Sequence, residues 1–411
     1  MRAGHEVAGI RGSHQQTRPA AAFSADEYAA RASRVGSVMA DHDLDGLLLT
    51  SPENIYYLIG LDHQGYFAFT MLIWPRAGKP SILTRRMEAP TINQQTPDIE
   101  HLGYADDEEP GAAAVAAMKK LGLASGRIAV DLSGMFLSAG TWDDLKTDLP
   151  GVEWVDTSRP QERHQFPIGL VDQLRLVKSP AELEYVRKAA AISDIAVQAA
   201  FDTAGVGVNE KEVAAAVYEA LVLAGSDYPG FAPFVRSTET ISQEHSTWRD
   251  RLLRRGEKLF VELSGSSARY HAPLSRMGYL QIGDPGAERA QAVAVSALEA
   301  VVASLRPGTK TGDVYNQWQQ VVDDGLGHSR LRRHHCGYSV GIGYPPSWVG
   351  GSTVLGIRRN GTTVVETGMV FHLFSWITDP DLGDYLLSDT AMLGETHAER
   401  LTTTPRSLLI E

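Results

Sequence analysis

Glu262 is the carboxylate whose setting most favours chemistry: it follows the apolar run Leu259-Phe260-Val261, and the turn-forming residues Ser264–Ser267 come shortly after it. Arg269 to Leu280 then extends again, rich in aromatic and branched residues, so Gly256–Ile282 reads as strand, tight turn and strand. Period-two alternation puts Arg269, His271, Pro273 and Ser275 on one face of the second strand, opposite Tyr270, Ala272, Leu274 and Arg276. A sheltered carboxylate near a histidine and guanidinium groups can shuttle protons, attack an electrophilic carbon or hold a cation. A solvated glutamate at a strand end is the plainer reading. The apolar run ahead of Glu262 favours the cavity.

The elements around this segment follow from caps and periodicity. Ser24 caps a helix running to about His42, Gly46–Thr50 is a buried-strand run, and Ser51-Pro52-Glu53-Asn54 starts the next helix. Strands over 67–75 and 81–84, helices over 109–121 and 138–147, and a strand over 127–131 complete an alternating α/β unit ending near 160–168. No glycine-rich phosphate loop interrupts it. Ser179-Pro180-Ala181-Glu182 is a capping box with proline at the first helical position, opening a helix to about Thr203; a second helix spans 209–224. After the Glu262 sheet come helices over 285–303 and 311–325 and a second run of strands from Leu331 to about Leu393. Two helices and strands, twice over, predict an internal duplication of element order.

Composition narrows the classes. A chain of 411 residues is long enough for two cores, and 43% hydrophobic with 21% charged residues describes a globular protein. A net charge of −12 argues against a phosphate-backbone partner, so no nucleic acid is expected. No apolar run reaches the roughly 20 residues of a membrane span, which predicts no membrane partner. The one cysteine, Cys336, excludes an internal disulfide framework and fits a cytoplasmic location. Residues 1–23 are polar and glycine-rich without an apolar centre. They read as a disordered arm, or as residues ahead of the native start, rather than a secretory signal.

Residues 171–182, the two-fold element order and the Glu262 sheet together resemble the creatinase and methionine aminopeptidase superfamily, across nearly the whole chain from Ser24. The resemblance implies an α+β architecture: a creatinase-like N-terminal α/β domain over 24–165 and a duplicated, pita-bread catalytic domain over 166–411. Metallopeptidase members hold two metals through five ligands, and those positions fall here on Glu262, Pro273, Tyr338, Phe374 and Ser388. Proline and phenylalanine offer an ion no lone pair, so the expected metal content is none and no cofactor is expected. The superfamily's metal-free branch includes creatinase and the ectoine hydrolases, which act on non-peptide C–N bonds at an amidine-like carbon. Glu262, Arg269-Tyr270-His271, Pro273-Leu274-Ser275-Arg276, Gly337-Tyr338-Ser339, Phe371-His372 and Arg85-Arg86-Met87-Glu88 look most like the ectoine hydrolases.

The implied substrate is a small zwitterion, a cyclic amidinium bearing a carboxylate. Glu262 would take the amidinium, as nucleophile or as base toward water. His245 matches the family's loop histidine, His271 points toward the vacated metal space, and Tyr338 occupies a ligand position. These four form the expected catalytic set. Arg86, reaching across the interface of a homodimer, Arg269, His334 and Trp376 are the expected substrate-binding residues; Arg276 is expected to support the sheet rather than touch substrate. Two alternatives stand beside this one. One is another C–N hydrolase or lyase acting on a small cationic carboxylate, and the other is a non-catalytic pita-bread module that binds a ligand or protein.

Overall fold

A computed structural model describes residues 21–158, 168–350, 354–407 and 409–410. The N-terminal half is a mixed six-stranded sheet with helices around it. Ser24 and Ser51 each cap through their hydroxyl, starting α1 (Ala25–Asp41) and α2 (Pro52–Ile59), with β1 (Gly46–Leu49) between them. β2 (Met71–Pro75), β3 (Ser81–Arg85), α3 (Ala89–Gln95), β4 (Glu100–Tyr104), α4 (Pro110–Lys120), β5 (Ser125–Val130), α5 (Ala139–Asp148) and β6 (Gly151–Asp156) follow, in sheet order β4-β3-β2-β1-β5-β6. The sequence missed β4, β6 and α3. The two strands are the sheet's edges and are only partly buried, so they carry little of the apolar signal of a central strand. The expected boundary at 165/166 and most of the arm over 1–23 lie outside the described residues.

In the C-terminal half α6 (Leu170–Leu174) precedes α7 (Pro180–Thr203). The α7 capping box is complete: Ser179 N–H donates to Glu182 Oε2 at 2.8 Å and Glu182 N–H to Ser179 Oγ at 3.3 Å. α8 (Glu210–Leu223), β7 (Phe234–Ser237), β8 (Lys258–Ser267) and β9 (Tyr270–Leu280) form the first repeat. α9 (Ala287–Ser304), α10 (Thr311–Leu326), β10 (His335–Ser339), β11 (Gly356–Arg358), β12 (Val370–Asp379), β13 (Gly383–Leu393) and the short β14 (Ala398–Arg400) and β15 (Leu409–Ile410) form the second. The strands join in one sheet, order β11-β10-β12-β13-β9-β8-β7. Leu259, Val261, Leu263 and Leu274 pack under α7 and α8, while Phe371, Leu373, Ile377 and Leu387 pack under α9 and α10. Both helix pairs therefore cover one face, and alternation sends Phe260, Glu262 and Phe374 to the other.

Two local features depart from the sequence reading. Glu262 lies in the middle of ten-residue β8, and Ser264–Ser267 continue that strand. The turn is Ala268-Arg269, with φ of +47° and +67°, the paired left-handed conformation of a two-residue hairpin loop without the usual glycine. Gly265 is where β8 touches α7. A Cβ there would sit 2.6 Å from the Ala189 carbonyl oxygen, and the Gly265 N–H donates to Ser193 Oγ at 2.7 Å.

The halves are joined through buried polar contacts. Arg31 of α1 lies 3.7 Å from Glu182, which accepts the Tyr270 hydroxyl at 2.5 Å. Arg269 pairs with Asp62 at 2.8 Å, and its guanidinium lies over Tyr228 (3.6 Å) and Tyr344 (4.9 Å).

Candidate active site

Strand register builds the site. Phe234 of β7, Glu262 of β8, Ser275 of β9, Ser388 of β13 and Phe374 of β12 are successive cross-strand partners, a transverse row over five strands on the helix-free face. On one side Arg236 pairs with Phe260, and Leu386 with Trp376. On the other Ser264 pairs with Pro273, and Thr390, His372 and Tyr338 are successive partners. Glu262 is 6% exposed, and burial pushes its carboxyl up to about 7; Arg236 and Arg333 pull it down and Glu244 pushes it further up.

A polar chain leads to that carboxyl. Trp348 Nε1–H donates to the Tyr338 hydroxyl at 3.1 Å, leaving the tyrosine proton for His372 Nδ1 at 2.8 Å. Nε2–H of His372 then donates to Ser388 Oγ at 2.6 Å and lies 3.9 Å from Glu262 Oε1. His372 is fully buried and burial holds its imidazole down at about 3, so it is neutral in this arrangement. Trp376, Phe260 and Phe374 meet edge to face or tilted at 5.5–5.6 Å on the same face of the sheet. Arg236 is fully buried over Phe260 at 4.4 Å, and burial lowers its pKa. Arg333 lies over Trp376 at 4.7 Å and donates to Glu244 Oε1 at 3.0 Å.

Of the residues expected from sequence, Glu262, Tyr338 and Trp376 come together here. His245 sits at the rim, exposed, its ring 6.2 Å from that of Phe234. His271 does not join them. Its Nε2 accepts the Gly230 N–H at 2.9 Å, its Nδ1–H donates to the Arg269 carbonyl at 2.9 Å, and burial pulls it down to about 4. It shares the face of Ser275 but lies four residues along β9, roughly 13 Å away at strand rise. His271 is a neutral structural histidine. Arg269, expected to bind substrate, is spent on Asp62 at the domain junction. His334 is exposed, whereas its neighbour His335 reaches the site, 4.9 Å from Phe374 and 5.9 Å from Tyr338. A register shift in β10 between His335 and Tyr338 puts these two, three residues apart, on one side. Arg86 is exposed on a short 3-10 turn after β3 in the N-terminal half. Arg276 holds Asp389 at 2.7 Å in a buried pair facing away from the row, as a supporting residue would.

The sequence reading left His372, Arg236, Arg333 and Glu244 out of the site. Arg236 had a signal, a charge inside the strand run Phe234-Val235-Arg236. His372 had one too, the period-two partner of Phe374 on β12.

The positions that hold two metals in related peptidases converge here, yet Pro273 and Phe374 are no donors and Tyr338 and Ser388 are neutral hydroxyls. Among the described residues no group of three or more His, Cys, Asp or Glu could hold a metal ion. The residues present do not fit a di-metal centre.

Residues 184–394 match metallopeptidase family M24, and residues 31–177 match the Creatinase/Prolidase N-terminal domain. An ectoine hydrolase of Halomonas elongata is 27% identical over 420 aligned residues, covering 95% of this chain and 98% of its own. A Xaa-Pro dipeptidase of Pyrococcus furiosus is 26% identical over 242 residues, 58% of this chain and 67% of its own. The crystal structure of a dipeptidase from Pyrococcus horikoshii superposes with a TM-score of 0.78 at 22% identity, covering 93% of this chain and 100% of its own, a likeness of fold. The chain therefore belongs to metallopeptidase family M24, as a hydrolase-family protein of two parts, a creatinase-like N-terminal domain and a C-terminal pita-bread domain.

Proposed function

We propose that this protein opens a C–N bond of a small cyclic amidine, ectoine or 5-hydroxyectoine, to give an N-acetyl-diaminobutyrate, without a metal. The observation that carries the reading is Glu262: a single buried carboxyl held near 7 on a sheet face shared with aromatic rings, with neutral His372 beside it. A flat amidinium suits such rings, and the ionised carboxylate suits its charge. The full-length similarity to an ectoine hydrolase supports the same substrate class.

In this reading Glu262 takes a proton from water as the water oxygen bonds to the amidinium carbon. The same carboxyl then returns the proton to the ring nitrogen, and as the C–N bond breaks the adduct's hydroxyl proton passes to the departing amine, leaving an amide and an ammonium group. A carboxyl whose pKa lies near the working pH can do both, which favours base over nucleophile. His372, its tautomer fixed through Tyr338, donates to Ser388 Oγ and keeps a neutral imidazole 3.9 Å from Glu262. The active unit is proposed to be a homodimer in the cytoplasm.

The rival reading is a dipeptidase, like the P. furiosus relative. Incubation with ectoine and with a Xaa-Pro dipeptide, with and without added Mn, separates them by mass of the product. A product one water heavier than ectoine, formed without Mn, is expected. Mn-dependent cleavage of the dipeptide with ectoine untouched would replace this reading with the other.

A further inference from the structure

We propose that Arg236 is the carboxylate-binding residue of the Glu262 site, so that the pocket selects molecules carrying a delocalised cation and a carboxylate about one small ring apart. The inference rests on the cyclic-amidine reading above and names the residue that gives it specificity.

One end of the Arg236 guanidinium is anchored, NH1 donating to the carbonyls of Ile241 at 3.1 Å and Gln243 at 2.8 Å. Its other edge, Nε with NH2, is buried with no hydrogen-bond partner among the described residues. Those two N–H groups together form one of the two bidentate edges that match a carboxylate. Arg236 also forms no ion pair within 4.0 Å among the described residues, although it is fully buried. A buried cation in that condition favours an anion brought by the ligand.

Spacing fixes the ligand's shape. Arg236 pairs with Phe260, and Glu262 lies two residues along the same strand on the same face, a diagonal of roughly 7–8 Å between backbones. The two side chains form no ion pair within 4.0 Å although each feels the other's charge, and a ring carrying an anion at one end and a cation at the other would bridge them. Phe260 and Trp376 flank the guanidinium at 4.4 and 5.9 Å and hold its plane. Arg333 offers less, because its NH2 is already given to Glu244 at the rim. Arg86, exposed in the N-terminal half, is not brought to Glu262 by this chain.

The test compares ectoine with the same ring lacking its carboxylate, on wild type and Arg236→Lys, which keeps the charge and removes the edge. Wild type is expected to favour ectoine by about 10²-fold in kcat/KM, a typical return for a charge-assisted pair. Arg236→Lys should lose that preference, chiefly through KM on ectoine, so that ectoine and the carboxylate-free ring show similar kcat/KM. Arg236→Gln, which removes the guanidinium edge while keeping a polar side chain, serves if the lysine variant does not fold. A variant that keeps its ectoine kcat/KM within threefold, or that loses both probes in parallel, overturns the assignment while leaving the hydrolysis reading intact. If wild type turns over neither probe, thermal stabilisation by each is read instead. An Arg236-dependent preference for ectoine then sustains this assignment while the hydrolysis reading falls, and binding of neither overturns both.

Discussion

At the residue scale the account turns on how burial divides the ionisable groups. Glu262 is raised from its unfolded value near 4.5 to about 7, so the folded state holds a proton that the unfolded chain releases earlier. Stability linked to it is fully present below pH 4.5 and is lost as pH rises through 7. Glu262→Gln removes that loss. The variant should therefore gain about 2 kcal/mol more over wild type at pH 8 than at pH 5, checked by urea unfolding at both. The same shift predicts that kcat/KM for ectoine climbs with pH through about 7 as the free base forms. His271 makes the contrasting case. His271→Phe leaves the Gly230 N–H without its acceptor, so unfolding should become about 1–3 kcal/mol easier with kcat nearly unchanged. A hundredfold loss of kcat would restore it to the catalytic set. The face of His271, shared with Ser275 opposite Glu262, followed from alternation, and that much was legible in the sequence. Distance along a strand was not, because period-two reasoning gives the side of the sheet without saying which neighbours fill the same cavity.

The elements show where sequence signals were strong. The Ser179–Glu182 capping box, Pro180 and the long helices are local chemistry, and α7 ends at Thr203 as its pattern indicated. Edge strands β4 and β6 and the β10 register shift depend on tertiary pairing, and it is this shift that exchanged His334 for His335 at the site. The hairpin turn was likewise misplaced, since Ala268-Arg269 lacks glycine and is held by contacts far away in sequence. Arg269 binds Asp62, about a third exposed, across the junction of the halves. Arg269→Met should cost about 2 kcal/mol, less than a fully buried pair because solvent screens Asp62. Differential scanning calorimetry should show the two halves separating into distinct transitions; a single unshifted transition would remove the pair from the junction's stability.

For the whole molecule, the fold carries the metallopeptidase framework while the donor set at its centre has changed character. EDTA-treated protein should keep its ectoine turnover within twofold, and elemental analysis of active protein should find no stoichiometric Mn, Zn or Fe. Two equivalents of bound metal with activity lost on chelation would show that ligands beyond the converged row complete a metal site. Solution scattering is expected to give a dimer, and Arg86→Ala should raise KM less than tenfold, since Arg236 rather than Arg86 takes the carboxylate. The two-domain order was legible from the alternating α/β unit and the duplicated helix-strand pattern that follows it. The site was legible at Glu262 through the apolar run ahead of it, at Tyr338 through the family resemblance and at Trp376 as an aromatic able to box a cation; His372 and Arg236 required the register of five strands at once.

The most direct measurement is the kcat of Glu262→Gln on ectoine, taken on protein shown to be folded by its melting curve. Glutamine keeps the shape and the hydrogen bonding while removing the charge and the basicity. Loss of a principal proton-transfer group predicts a fall of at least about 10³-fold. A variant that retains more than a tenth of wild-type kcat would make Glu262 structural and contradict the account.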